Sequence, residues 1–157
     1  MIVMALVELL SPDAIAPALK VGGKKQALQE LASHAAGLTG LDQQAIFETL
    51  LQRERLGSTG VGEGIAIPHG KLARLDRLFG FVARLEKPID FDAIDGTPVD
   101  VLFLLLAPEG AGADHLKALA RVARVLRRPG VLDRLRAAHD AAAIYAVLIE
   151  NSEPAAA

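Results

Sequence analysis

An α/β layered domain, with helices covering a sheet, is the fold class this sequence predicts. Residues Val99–Pro108, VDVLFLLLAP, are apolar throughout but for Asp100, as befits a strand buried on both faces. Segments on either side of it repeat apolar residues at helical spacing, so strands lie between helices. The chain has 157 residues, 52% apolar and 23% charged, enough for one domain whose core needs no staples. With five Phe, one Tyr and no Trp, that core must be filled by Ala, Leu, Ile and Val.

The first helix is expected to start near Lys24, after SPDAIAP. Ala27, Leu28, Leu31, Ala32 and Ala35 share one face, and Gly37 or Gly40 ends the helix. Asp42 is the predicted N-cap of a second helix, Gln43–Arg55, with Ala45, Ile46, Thr49 and Leu50 on one side and a stop at Gly57. A glycine-rich loop then runs into IAIP, which is short and strand-like. LFGFVARL alternates as a strand does, and Asp95-Gly96 signals a turn. After Val99–Pro108, PEGAGA is a small-residue loop. Asp114 is the predicted cap of a long helix reaching about Arg128, which Pro129-Gly130 terminates. Two shorter helices, 131–138 and Ala141–Glu150, precede a frayed tail, NSEPAAA.

Composition excludes several functions. Net charge is −2, which lacks the positive footprint of a nucleic-acid binder. There is no cysteine, hence no disulfide, thiolate zinc site or cysteine nucleophile. Four scattered histidines show no metal-ligand spacing, so no metal is expected; His34 and His139 read as ordinary helix-surface or helix-end residues. The opening MIVMALVELL has no basic n-region and is broken by Glu8, so neither a signal peptide nor membrane insertion is expected, and the expected location is the cytoplasm.

The most informative stretch is residues 57–71, GSTGVGEGIAIPHGK. It is not a dinucleotide fingerprint, because Ile65 and Ile67 stand where a third glycine is required and the loop follows a helix. It is not a P-loop either, since Lys71 is followed by Leu72 and the spacing from Gly64 is one residue too long. What remains is His69 held behind the fixed φ of Pro68, with Gly70 leaving the approach clear. Neutral imidazole is a competent nucleophile near neutral pH, and attack on phosphorus would need donors nearby. Ser58, Thr59, the amides of Gly60, Gly62, Gly64 and Gly70, and Lys71 are the local candidates. Two readings stand side by side on spacing alone: a phosphoryl acceptor, or a structural histidine satisfied within its loop.

Residues 53–71, RERLGSTGVGEGIAIPHGK, resemble the signature of the IIA components of the phosphoenolpyruvate-dependent phosphotransferase system, in the mannitol/fructose (EIIA type-2) class. The resemblance is strongest to its nitrogen-regulatory members. FDAIDGTPVDVLFLLLAP, HLKALARVARVL and RLRAA continue it in order, so the resemblance spans residues 6–149 and leaves 150–157 as a flexible tail. It implies a mixed β-sheet flanked by helices. His69 matches the phosphorylated histidine, which implies transfer through Nε2 from an HPr/NPr-type histidine phosphocarrier, itself charged by enzyme I. His115 matches a second active-site histidine that orients the phosphoryl group, and Arg53 an arginine whose fork suits phosphate oxygens. No cofactor is implied.

Two features read from the residues themselves add to this. His115 follows the predicted cap Asp114, and a helix N-terminus disfavours imidazolium, keeping the ring neutral. Lys117, Arg121, Arg124 and Arg128 fall on one side of the long helix, opposite Leu116, Leu119, Ala120, Ala123 and Leu126. That stripe is either a solvated face or a dock for an acidic partner. The function expected is a phosphoryl carrier, rather than a turnover enzyme, with a regulatory output; the resemblance implies targets such as potassium-transport or sensor-kinase components. The alternative is a sugar-specific IIA that passes phosphoryl to a IIB domain, against which the chain is expected to stand without IIB or IIC segments.

Overall fold

A computed structural model describes residues 6–152. Six strands form one mixed sheet: β1 (Ile15–Leu19), β2 (Gly60–Gly62), β3 (Ile65–Ala66), β4 (His69–Leu72), β5 (Phe79–Ile89) and β6 (Val99–Pro108). The order across the sheet is β1-β5-β6-β3-β2, with β4 also pairing β6. Neighbours β1 and β5 are parallel, β5 and β6 antiparallel, and β3 and β4 both run parallel to β6. Helices α1 (Lys24–Thr39), α2 (Gln43–Arg55), α3 (Ala113–Leu126), α4 (Val131–Ala137) and α5 (Ala141–Glu150) flank it.

The sheet is organised around β6. Leu102, Phe103, Leu104, Leu105, Leu106 and Ala107 are all fully buried, which accounts for the unbroken apolar run. Each such leucine stabilises the fold by about 1.5–3 kcal/mol relative to an exposed position. The apolar stripe of α1, Ala27, Leu28, Leu31, Ala32 and Ala35, is fully buried as its spacing requires, and Gly40 (φ 77) ends the helix while Gly37 lies within it. Asp42 caps α2 by accepting from the Ala45 amide. The apolar side of α2 is Ile46, Phe47 and Leu50, whereas Ala45 is exposed.

Three strands escape the sequence reading. β1 contains Pro17, which is tolerated because β1 is an edge strand. β2 is GVG, with no side-chain pattern at all, and β4 begins directly after Pro68. Helix α3 starts at Ala113 with Gly112 at its cap, so Asp114 lies in the first turn and does not cap it. The α3 face is also rotated from the expected one. His115, Ala118, Arg121, Val122, Val125 and Leu126 are buried, while Leu116 is 67% exposed. At the other end Glu150 completes α5, and the Ser152 hydroxyl donates to the Ile149 carbonyl, so these residues belong to the fold and not to a tail. The rest of the expected tail, 153–157, lies outside the described residues.

One close approach fixes how α2 lies on β4. A methyl group on Gly70 would sit 2.5 Å from Thr49 Cγ2, and Thr49 is held in place by its hydroxyl bond to the Ala45 carbonyl. The bare backbone of Gly70 therefore admits helix α2, whose last turn carries Arg53, rather than clearing a path for a partner. Gly70→Ala is expected to destabilise the protein by about 1–3 kcal/mol through overpacking. Removing the opposing methyl with Thr49→Ser should restore most of the loss in urea unfolding; equal midpoints for the two variants would show the contact to be slack.

Candidate functional site

His69 is the first residue of β4, at the point where the chain rejoins β6 after Ile67 and Pro68. The interruption leaves the Ile67 carbonyl outside the ladder, and it lies 2.8 Å from His69 Nδ1. A carbonyl only accepts, so Nδ1 carries the proton. On the other side of the ring, Arg53 Nε donates to His69 Nε2 at 3.2 Å. A guanidinium only donates, so Nε2 holds its lone pair. Both bonds select the same tautomer, and the ring presents Nε2 as its nucleophilic atom.

Arg53 reaches the ring from the last turn of α2. Its Nη1 donates to the Gly57 carbonyl at 2.9 Å, which ties the fork to the loop that follows the helix. His115 comes from the first turn of α3, with its ring centroid 5.4 Å from that of His69 and the planes inclined by 60°. His115 is buried, and its Nε2 makes no hydrogen bond to a protein group among the described residues.

Burial holds His69 below the ordinary histidine range. The bond to Ile67 and the carboxylate of Glu54 pull it back up, and Arg53 pushes it down. Burial also lowers His115, assisted by the charges of His69 and Lys71. The pair is therefore neutral at physiological pH, one ring offering a lone pair and the other a polar atom, beside a permanent cation.

Not all the sequence candidates meet here. Lys71 is exposed, and its charge reaches His115. The Ser58 hydroxyl donates to the Phe91 carbonyl at 2.6 Å and accepts from the Gly60 amide, and the Thr59 hydroxyl donates to Glu54. Both are committed to holding the loop, which corrects their reading as phosphate donors. The glycines are backbone devices too. Gly60 packs on Ala93, and Gly62 and Gly64 adopt φ of 101° and 83° in the β2–β3 hairpin, where Gly64 lies against Arg136 and Asp100. The basic stripe on α3 is broken as well. Lys117 and Arg124 are exposed and Arg128 half-buried, but Arg121 is only 8% exposed because it flanks the buried face. Glu54, buried directly beside Arg53 in sequence, was passed over; "RER" reads as a solvated helix end, and only its 7% exposure marks it out. Among the described residues no group of three His, Asp or Glu could hold a metal ion.

His69 is half-buried and His115 is buried. A cleft of about 650 Å³ between the β2–β3 hairpin and the α3–α4 turn, lined by Glu63, Asp100, Arg127 and Arg136 among others, contains none of the three site residues.

The family model for the phosphoenolpyruvate-dependent sugar phosphotransferase system, EIIA 2, matches residues 8–151. A nitrogen regulatory protein of Bradyrhizobium diazoefficiens is 64% identical over 145 residues, spanning 92% of this chain and 95% of that one. The crystal structure of nitrogen regulatory protein IIA-Ntr from Neisseria meningitidis shares the fold with a TM-score of 0.86 at 36% identity, over 91% of this chain and 98% of that one. IIA mannitol from Escherichia coli, at 19% identity, shares the fold with a TM-score of 0.75 over 88% and 98% of the two chains.

The electrostatics give a pH dependence with a definite sign. Both imidazoles are held below their ordinary value, so the unfolded chain takes up their protons first as pH falls. Their contribution to stability is complete above about pH 6.5 and is lost as pH drops through the folded-state values. An NMR titration should show both rings protonating below about 6.5; either one titrating at or above it would refute a neutral pair.

Proposed function

The chain belongs to the EIIA 2 family of the phosphoenolpyruvate-dependent sugar phosphotransferase system, and from that membership we propose that it is a phosphohistidine carrier with a regulatory output. His69 accepts a phosphoryl group from an HPr/NPr-type histidine phosphocarrier charged by enzyme I. The observation that carries this reading is the fixed tautomer of His69, with its Nε2 lone pair set against Arg53 and beside His115.

The transfer follows from the hydrogen bonds. As the donor docks, the Nε–H of Arg53 leaves the lone pair and turns to a phosphoryl oxygen, a better acceptor for a guanidinium. Nε2 then attacks phosphorus in line, the P–N bond to the donor histidine breaks, and the donor nitrogen keeps the bonding pair. The proton on Nδ1 stays where it is, shared with the Ile67 carbonyl, and offsets the charge that has arrived. His115, whose ring centroid lies 5.4 Å from that of His69, donates to a phosphoryl oxygen by carrying its proton on Nε2. Small-molecule chemistry would favour an enclosed pocket; a half-buried imidazole suits transfer between proteins.

A phosphoryl group adds nearly two negative charges to this surface, enough to change which partners dock. Kinship to nitrogen regulatory proteins supports a regulatory role in nitrogen metabolism. The proposed targets are proteins such as potassium-transport or sensor-kinase components. The proposed setting is the cytoplasm; no helix among the described residues is long and apolar enough to cross a membrane.

Incubation with phosphoenolpyruvate, enzyme I and a histidine phosphocarrier should add one acid-labile phosphoryl group by intact mass. His69→Ala should add none, and His115→Ala or Arg53→Ala should slow uptake by about 10²-fold or more, as loss of a transition-state donor does. An unmodified wild type with every donor would overturn the carrier reading. Rapid discharge to a fructose or mannitol IIB domain would instead make the protein a sugar-specific component.

A further inference from the structure

Glu54 is a buried carboxylate whose contacts lead, without a break, to the phosphoryl-accepting ring. Its side chain is 3% exposed, and Lys24 Nζ lies 3.1 Å from Oε1 while also standing 4.9 Å over the Phe91 ring. The same carboxylate accepts from the Thr59 amide at 3.0 Å and from the Thr59 hydroxyl. The Thr59 carbonyl accepts from the Ile67 amide at 3.0 Å, and the Ile67 carbonyl accepts from His69 Nδ1 at 2.8 Å. The adjacent Arg53 contacts the other nitrogen of the same ring.

We propose that Glu54, with Lys24 as its counter-ion, is a positioning residue for phosphoryl transfer, fixing through Thr59 and Ile67 the tautomer and aim of His69. Three considerations lead there. An apolar side chain would fill this volume without the cost of burying a charge, so packing alone does not call for a carboxylate. Only a carboxylate can accept from both Thr59 donors and from Lys24 at once. And the far end of the chain of bonds is the one carbonyl that decides which nitrogen of His69 holds the proton. The arrangement parallels the acid that orients a catalytic histidine, except that a strand-breaking peptide is interposed between acid and ring. The negative charge of Glu54 also bears directly on His69, opposing Arg53. The assignment rests on the reading of His69 as the phosphoryl acceptor.

The test is Glu54→Gln, which keeps the shape and removes the charge. Nitrogen-15 spectra of the unphosphorylated wild type should show His69 protonated at Nδ1, and the variant should show a mixture of tautomers. Phosphoryl uptake should fall about tenfold while KM for the phosphocarrier stays within about twofold, as outer partners of a functional histidine act on chemistry rather than docking. A folded variant with the wild-type tautomer and rate would overturn the proposal. Should Glu54→Gln fail to fold, Thr59→Val removes the hydroxyl arm alone; a smaller shift in the same direction supports the proposal, and an unchanged spectrum refutes it. The spectrum is read without any phosphoryl donor. A wild type that takes up no phosphoryl group would therefore sink the carrier reading, while the tautomer would still decide the role of Glu54.

Discussion

The hydrogen bond from His69 Nδ1 to the Ile67 carbonyl is the interaction on which the site depends. It exists because the chain leaves the sheet for two residues. β3 and β4 are both parallel partners of β6, and the segment between them, Ile67 and Pro68, stays out of the regular pairing. Pro68 has no amide to offer the ladder, but its carbonyl still receives the Leu105 amide at 2.9 Å, so the interruption is short and firmly anchored. The Ile67 carbonyl is thereby left free of the ladder and accepts the hydrogen bond from His69 Nδ1–H. The buried centre of β6, residues 101–107, forms the floor of this arrangement.

Much of this was legible in the sequence, for reasons that differ by element. The β6 run, the α1 stripe and the Asp42 cap are local signals, and local signals survive folding. The motif singles out His69, Arg53 and His115, and the fold brings the three together although they come from β4, α2 and α3. What was misread depends on context. Glycines in the 57–71 stretch look like a phosphate cradle, yet Gly60, Gly64 and Gly70 are small because Ala93, Arg136 and Thr49 press against them. Ser58 and Thr59 look like donors awaiting a ligand, but Phe91 and Glu54, distant or overlooked in sequence, already occupy them. The α3 face was misjudged because Arg121 is buried and Leu116 exposed, the reverse of what their side-chain types suggest.

Edge and hairpin strands were invisible for a simpler reason. β1, β2 and β4 are five residues or fewer and carry proline, glycine or histidine, so none shows an alternating pattern. Their pairing is imposed by neighbours. β2 with β3 forms a hairpin whose tip is held from outside: Asp95 accepts the Glu63 amide, and Arg136, paired with Asp100, donates to the Glu63 carbonyl. Those contacts let Glu63 sit at φ 59, a conformation that a non-glycine residue rarely adopts unaided.

On the proposed reading, the protein has to hold a phosphoryl group without trapping it, and the charges around His69 suit that compromise. A fully exposed imidazole would be protonated too readily and would lose its lone pair; a fully buried one could not meet another protein. Half-burial keeps the ring neutral and within reach. Arg53 supplies one positive charge, but it is shared between the ring and the Gly57 carbonyl, and His115 supplies a neutral dipole rather than a second cation. A second full cation would stabilise bound phosphoryl further and slow its departure. The buried negative charge of Glu54 works in the same direction, tempering Arg53 from behind while its bonds to Thr59 keep the ring aimed. If His69 is the acceptor proposed above, the same few groups set both the readiness of Nε2 to accept and its readiness to give up, which is the property a relay requires.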